Sequence, residues 1–304
     1  MKYIKKIFYA LVTPLVGKLI PFNLYNRCML LACRSKAVGF FLDAVLRLIA
    51  RGEIRATREY FHENESRVAH ILSFLEDEES KDTYRSLIQY RSTHKRRYIN
   101  PHIQKRETFY VGEERTAPSQ AEVFIDGGAF SGETSLLFQE ACACAGQPAP
   151  QCVLIEPGVD NFAQLQKNLP KFTEKPFLFQ MGLWSQAGRL NFTSGNFDSD
   201  RIDPAGPISV LVDTLDHMLA TIPELPPVTY LKIDVEGADL DTIYGARETI
   251  EKYHPYIAIS IYHKDEHMID IPEAIHEMFP AYRFYVRHYT CYVADTILYC
   301  VWGA

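Results

Sequence analysis

From Ala121 onward, short apolar runs alternate with stretches of helical spacing. Apolar runs at 122–126, 152–156, 177–183, 228–234 and 256–262 predict strands. The spacing at 132–145, 159–169, 238–253 and 272–279 predicts helices. Two shorter runs, 189–192 and 208–212, predict small strands, and a short helix follows at 213–220. The closing stretches 282–289 and 296–302 predict a paired β-element. Strand and helix in alternation is the pattern of an α/β fold built on a doubly wound, mostly parallel sheet.

The first third of the chain reads differently. Apolar residues at 68, 71, 72 and 75 fall at helical spacing within a strongly helical stretch, 62–92. A second helix restarts after Asp77, with Ser80 as its candidate cap. Residues 37–50 predict an amphipathic helix. An apolar stretch at 7–16 is too short to span a bilayer, and Pro14 and Lys18 fall where a signal peptide needs its apolar core and cleavage site. Residues 107–120 read as a linker, and Lys95-Arg96-Arg97 as a solvated face. The expected division is therefore a helical N-terminal extension, 1–115, and an α/β domain, 116–304.

Composition refines this picture. The 304 residues are 47% hydrophobic and 23% charged, a globular balance. The net charge of −6 conceals a division: residues 1–58 hold eleven Lys and Arg against two acids, +9, and the rest carries −15. The acidic α/β portion is a poor partner for nucleic acid. The basic N-terminus suits packing on the main domain, a second copy in a homodimer, or peripheral contact with a membrane face. Seven cysteines at irregular spacings form no disulfide framework, which points to a cytoplasmic location. Cys142 and Cys144 diverge on a helix and make no metal pair.

The chemistry collects where apolar runs end. Val123-Phe-Ile-Asp126 leads into Gly127-Gly128-Ala-Phe130-Ser131-Gly132, then a helix. Such a turn brings unpaired N–H groups to a helix start, a place for a carboxylate or phosphate. The order is neither the dinucleotide fingerprint nor a P-loop. A second run ends in Glu156-Pro157, where an acid accepts ribose hydroxyls in nucleotide-binding folds. A third ends in Asp234-Val-Glu236-Gly237. Three such ends predict one cleft at the C-terminal edge of the sheet.

Asp126-Gly-Gly-Ala-Phe-Ser-Gly132, Ile155-Glu156-Pro157 and Lys232-Ile-Asp-Val-Glu-Gly-Ala-Asp239 resemble the FkbM-type S-adenosylmethionine-dependent methyltransferases, from about Ala121 to Trp302. Gly127, and Asp239 in place of a commoner Glu, depart from the usual pattern. The resemblance implies a class I methyltransferase sheet of seven strands with the last antiparallel, S-adenosylmethionine as cofactor, and O-methylation of a saccharide or glycoconjugate, which could be lipid-linked. The expected cofactor contacts are Asp126, Gly127, Gly128, Phe130, Ser131, Gly132, Thr134, Glu156, Pro157, Gly182, Leu183 and Asp234. Asp126 and Asp234 are placed to hold the cofactor's ammonium group, and the N–H groups around Ser131, Gly132 and Glu133 its carboxylate. An aromatic such as Phe130 or Trp184 is a candidate neighbour of the adenine or sulfonium. Candidate catalytic residues are Glu236, His263 and Asp234, with Lys232 as electrostatic partner.

No motif demands a metal. His263-Lys-Asp-Glu266-His267 has zinc-peptidase spacing, but it follows a β-run and precedes Pro272, so no helix would align its histidines. The polar stretch 193–207 is expected to form a mobile loop over the site. Two other functions fit the same pattern: a non-catalytic Rossmann-like binding module and a nicotinamide-dependent oxidoreductase.

Overall fold

A computed structural model describes residues 51–105, 109–111, 121–194, 200–202, 206 and 208–303. The 7–16 and 37–50 segments lie outside the described residues, as does most of the 107–120 linker. No helix among the described residues is long and apolar enough to cross a membrane.

The chain divides into two compact units. One contains helices α1 (Arg51–Glu63), α2 (Glu65–Phe74) and α3 (Glu78–Arg91), a short 3-10 turn (Asn100–His102) and the segment 286–296. The cap of α3 is Asp77, whose carboxylate accepts from Ser80 N at 2.6 Å. Ser80 is thus the third residue of the helix, and its hydroxyl accepts from Val286 N and from Arg287. Arg96, expected in solvent, is buried.

The second unit holds the large sheet. Its strands are β1 (Val123–Gly127), β2 (Gln151–Ile155), β3 (Phe177–Phe179), β8 (Tyr230–Ile233), β9 (Tyr256–Ser260), β10 (Tyr282–His288) and β11 (Thr296–Trp302), with a few residues at the end of β10 and the start of β11 belonging to the first unit. The order is β10-β11-β9-β8-β1-β2-β3. β1, β2, β3, β8 and β9 pair in parallel, as the alternating pattern predicts, and β11 runs antiparallel to β9, as the family resemblance implies. β1, β8 and β9 are buried along their whole length, which is why they read as continuous apolar runs. Phe124, Phe138 and Tyr230 form an aromatic cluster with ring centroids 4.3–5.0 Å apart. Tyr110, inside the expected linker, is buried too. Its hydroxyl bonds Ser260 Oγ at 3.0 Å and its carbonyl accepts from Tyr230.

Four strands make a separate small sheet in the order β4-β7-β5-β6: β4 (Gly182–Leu183), β5 (Gly188–Ser194), β6 (Asp200–Ile202) and β7 (Ile208–Asp213). The single strand expected at 177–183 is therefore two. Its first half pairs with β2 and its second with β7. Part of the expected mobile loop is strand, since β6 pairs with β5.

The helices of this unit are α4 (Glu133–Cys144), α5 (Val159–Asn168), α6 (Leu215–Ala220), α7 (Asp239–Gly245), α8 (Arg247–Tyr253) and α9 (His267–Met278). The helix expected at 238–253 breaks at Ala246, whose φ of −110° is not helical. Just before the break, a Cβ on Gly245 would stand 2.1 Å from Trp184 O, so the backbones touch there. α9 begins five residues before the expected start. Pro272 lies inside it rather than opening it.

Candidate active site

β1 lies between β2 and β8, and the chain leaves it in opposite directions, so the sheet opens at the C-terminal end of these three strands. Gly127 is in register with Ile155 on one side and Ile233 on the other. The residues that follow those partners, Glu156 and Asp234, therefore flank the glycine turn at one level. The turn is pinned by Gly128 N and Ala129 N, both donating to Ile155 O, and by Asp234 N donating to Gly127 O.

The reason for glycine here is partly internal. At Gly128, φ is +76° and a Cβ would fall 1.9 Å from Asp234 O. The residue lets β8 approach the turn, whatever the turn then binds. Phe130 also takes a positive φ, +52°, which directs its N–H to Glu156 Oε2 at 2.8 Å. Glu156 Oε1 accepts from Gly158 N at 2.8 Å and from Asn161 at 3.2 Å. The carboxylate is thus oriented before any ligand arrives, and the Asn161 contact is the longest of these three.

Lys232 lies beneath the turn and is 1% exposed. Its ammonium donates to Asp126 Oδ1 at 2.8 Å, Gly127 O at 3.0 Å and Gly128 O at 2.9 Å, and it stands 5.3 Å from the centre of the Tyr110 ring. The other Asp126 oxygen accepts from Ser135 Oγ at 2.6 Å. Asp126 was expected at the cofactor's ammonium group and Lys232 as electrostatic partner of the catalytic residues. Both instead face inward and fasten the turn to β8 and to α4.

The remaining expected cofactor contacts gather at the turn. A Cβ on Gly127 would touch Leu183 Cδ1, and one on Gly182 would reach Pro157 Cβ at 3.9 Å, so β4 closes one side. Gly132 caps α4, but its N–H is spent on Ala129 O, which removes it from the expected carboxylate donors. Ser131 Oγ is buried beside it without a hydrogen-bond partner. Thr134 lies in the first turn of α4, where N–H groups lack intrahelical acceptors. Trp184 is half-buried and its N–H goes to Asp213 O.

The third strand end carries the acids. Asp234 is buried and accepts from the Tyr262 hydroxyl at 3.2 Å. Glu236 follows with φ +55°, and its side chain is 29% exposed. Behind them stands His263, its side chain 8% exposed. Its Nδ1 is 2.8 Å from Asp239 Oδ2. Its Nε2 is 3.2 Å from Asp234 Oδ1 and 3.7 Å from Glu236 Oε2, without an aligned hydrogen bond. Burial acts to lower the His263 pKa, but Asp239, Asp234 and Glu236 outweigh it and hold the imidazole well above its ordinary value. Burial likewise acts to raise Asp239, yet His263 and His267 hold it well below the usual carboxylate range. Asp239 Oδ1 also accepts from Val235 N and Oδ2 from Gly237 N, so it shapes the acidic turn itself. Asp239 and His267 were not among the expected site residues. The histidine spacing that singled out His267 carried the signal, but it was read against a helix rather than against Asp239.

These residues fit S-adenosylmethionine. An oriented carboxylate at the end of β2 suits the ribose diol, and the unpartnered Ser131 hydroxyl beside a helix N-terminus suits the amino-acid carboxylate.

Comparison with known proteins agrees. The profile of the methyltransferase FkbM domain matches residues 50–289. The chain is similar to a crystal structure of methyltransferase FkbM from Methylobacillus flagellatus KT, at 23% identity and a TM-score of 0.67. The match covers 80% of this chain and 60% of that one. A precorrin-6y C5,15-methyltransferase from Geobacter metallireducens GS-15 is 14% identical with a TM-score of 0.40, over 66% of this chain and 90% of that one. The S-adenosylhomocysteine-bound Podospora anserina methyltransferase PaMTH1 is 12% identical with a TM-score of 0.38, over 60% and 72%. A search of curated protein sequences finds no significant match. With the glycine turn, Glu156 and the acidic strand end at one edge of the sheet and the family profile matching residues 50–289, the chain belongs to the FkbM family of S-adenosylmethionine-dependent methyltransferases.

Proposed function

We propose that the protein methylates a hydroxyl of a saccharide or glycoconjugate, with Glu236 as the general base. The observation that carries this reading is the placement of Glu236. It is a partly exposed carboxylate, three residues past the end of β8 and two past Asp234. When bound, S-adenosylmethionine supplies a methyl group already activated by its sulfonium.

The chain's own residues then have four tasks. Glu156 holds the ribose and orients the cofactor. Ser131 and the start of α4 hold its carboxylate. Asp234, kept in place by Tyr262, faces the ammonium group. Glu236 accepts the acceptor's hydroxyl proton as the new C–O alignment forms, the part of the reaction a sulfonium cannot supply. Both nitrogens of His263 face carboxylates, so its role is to position Glu236 and Asp234 rather than to take the proton itself.

The test pairs product analysis with one isosteric substitution. Glu236→Gln should lower kcat by about 10²–10⁴-fold, with S-adenosylmethionine affinity unchanged. A panel of glycans, peptides and polyketides, followed by mass spectrometry of the methylated product, identifies the acceptor. A kcat for Glu236→Gln equal to that of the parent, or a product methylated on nitrogen or carbon, would end the proposal.

A further inference from the structure

The acidic turn after β8 meets the start of α9 in a way that methyl transfer does not use. Asp239, His263 and His267 each bring a ligand atom to one point, and these atoms all lie within 4.8 Å of one another. Asp239 Oδ2 is 2.8 Å from His263 Nδ1 and 3.4 Å from His267 Nδ1. The same oxygen accepts from Gly237 N at 3.1 Å. One carboxylate oxygen therefore faces three donors with two lone pairs. His267 fits worst: its side chain is 4% exposed, and its Nδ1 is buried, 3.4 Å from that oxygen without an aligned hydrogen bond.

We propose that Asp239, His263 and His267 form a binding site for a late first-row divalent cation, with Zn²⁺ the best match to two imidazoles and one carboxylate. A cation displaces the protons of both Nδ1 atoms to solvent, takes their lone pairs and one of Oδ2, and replaces the unaligned His267 contact with a ligand bond. Ligand atoms around tetrahedral zinc stand about 3.3 Å apart; the 3.4 Å spacing already matches, the 2.8 Å spacing opens by about half an ångström, and no pair of ligand atoms lies beyond 4.8 Å. The other His263 nitrogen, Nε2, lies 3.2 Å from Asp234 Oδ1, so Asp234 supplies the carboxylate that commonly stands behind a ligating histidine and fixes its tautomer.

The spacing His263-x-x-Glu266-His267 does not make this a peptidase. His263 precedes α9, His267 is its first residue, and Glu266 is exposed at the helix cap. The site's work is mechanical: it ties the loop 263–267 to the turn 234–239, and so fixes Glu236 from behind. The proposal stands on the ligand geometry and does not depend on the methyl acceptor.

The test uses the full chain without an affinity tag of histidines. After treatment with a chelator, the protein is titrated with Zn²⁺ in competition with a chromophoric chelator, and bound metal is counted by mass spectrometry. One equivalent is expected, with affinity at least tenfold weaker in His267→Ala. Less than a tenth of an equivalent, or equal affinity in the variant, overturns the proposal. Circular dichroism checks that His267→Ala is folded. Should it not fold, X-ray absorption at the zinc edge of the parent protein decides. Nitrogen and oxygen scatterers with imidazole multiple scattering support the site, and a sulfur shell assigns the metal to cysteine and overturns it.

Discussion

Lys232→Met tests how the cofactor turn is held. The substitution keeps the aliphatic stem and removes the ammonium. Three acceptors lose their donor at once: Asp126 Oδ1, Gly127 O and Gly128 O. Asp126 is 0% exposed and keeps the Ser135 hydroxyl at its other oxygen, so its charge cannot turn to water. Breaking a buried pair from one side costs about 3–5 kcal/mol. At about 2–4 °C per kcal/mol for a chain of this size, the melting temperature should fall by about 6–20 °C. The turn carbonyls lose their anchor as well, so S-adenosylmethionine affinity should fall by about tenfold, one hydrogen bond's worth. Urea and thermal melts followed by circular dichroism measure the first effect, and calorimetric titration the second. Asp126→Asn and the double variant complete a cycle. Once the buried charge has gone, losing Lys232 should matter less, so the double variant should be more stable than additivity predicts by about 0.5–3 kcal/mol. A cost below about 1 kcal/mol for Lys232→Met, or strict additivity in the cycle, would refute the reasoning.

Three further predictions follow from other parts of the molecule. Gly128→Ala puts a Cβ 1.9 Å from a backbone carbonyl at a φ of +76°, so it should destabilise the chain by about 3 kcal/mol or more and abolish cofactor binding; a melt within 1 °C of the parent would contradict this. His288 is fully buried, and burial first, then Arg91 and His102, lowers its pKa to about 3. Between the ordinary imidazole value of 6.5 and about 3 the unfolded chain binds the proton and the folded chain does not, so stability falls as pH drops through that window. His288→Gln should flatten the slope of urea midpoint against pH there, and an unchanged slope would remove His288 as its cause. Finally, alkylation mapped by mass spectrometry at neutral pH should mark Cys144, which is exposed, well before Cys142, Cys152 and Cys300, which are buried. Burial also pushes the Cys152 and Cys300 thiols up. Equal labelling of Cys142 and Cys144 would mean that α4 has a different face inward.

Much of this architecture is legible in the chain because the parallel strands are buried and short. Val123–Gly127, Gln151–Ile155 and Tyr230–Ile233 are apolar runs cut off by an acid or a glycine, and that alone locates the edge of the sheet. Side-chain direction was harder to read. Asp126 and Lys232 stand in the motifs with Glu156 and Asp234, but their charges cancel in the interior, and only three-dimensional pairing reveals it. The break in the 238–253 helix lies beside a contact from about sixty residues away in sequence, Trp184 O against Gly245, which no local pattern reveals. Helical spacing misjudged His263 and His267 for a related reason. They converge on Asp239 from a loop and a helix start, a meeting that no periodicity encodes.

The placement of β11 bears on how the protein is made. This strand is the last described in the chain, yet it lies in the interior of the sheet, between β9 and β10. While a ribosome is still translating residues before Thr296, β9 carries a row of unpaired backbone groups along one edge. Such an edge recruits any extended peptide nearby. The nascent chain thus passes through a stage in which the strands before β11 are present but β9 keeps an open edge, and synthesis of β11 closes it. Stalled or prematurely terminated products should aggregate rather than persist as shortened, partly active enzymes.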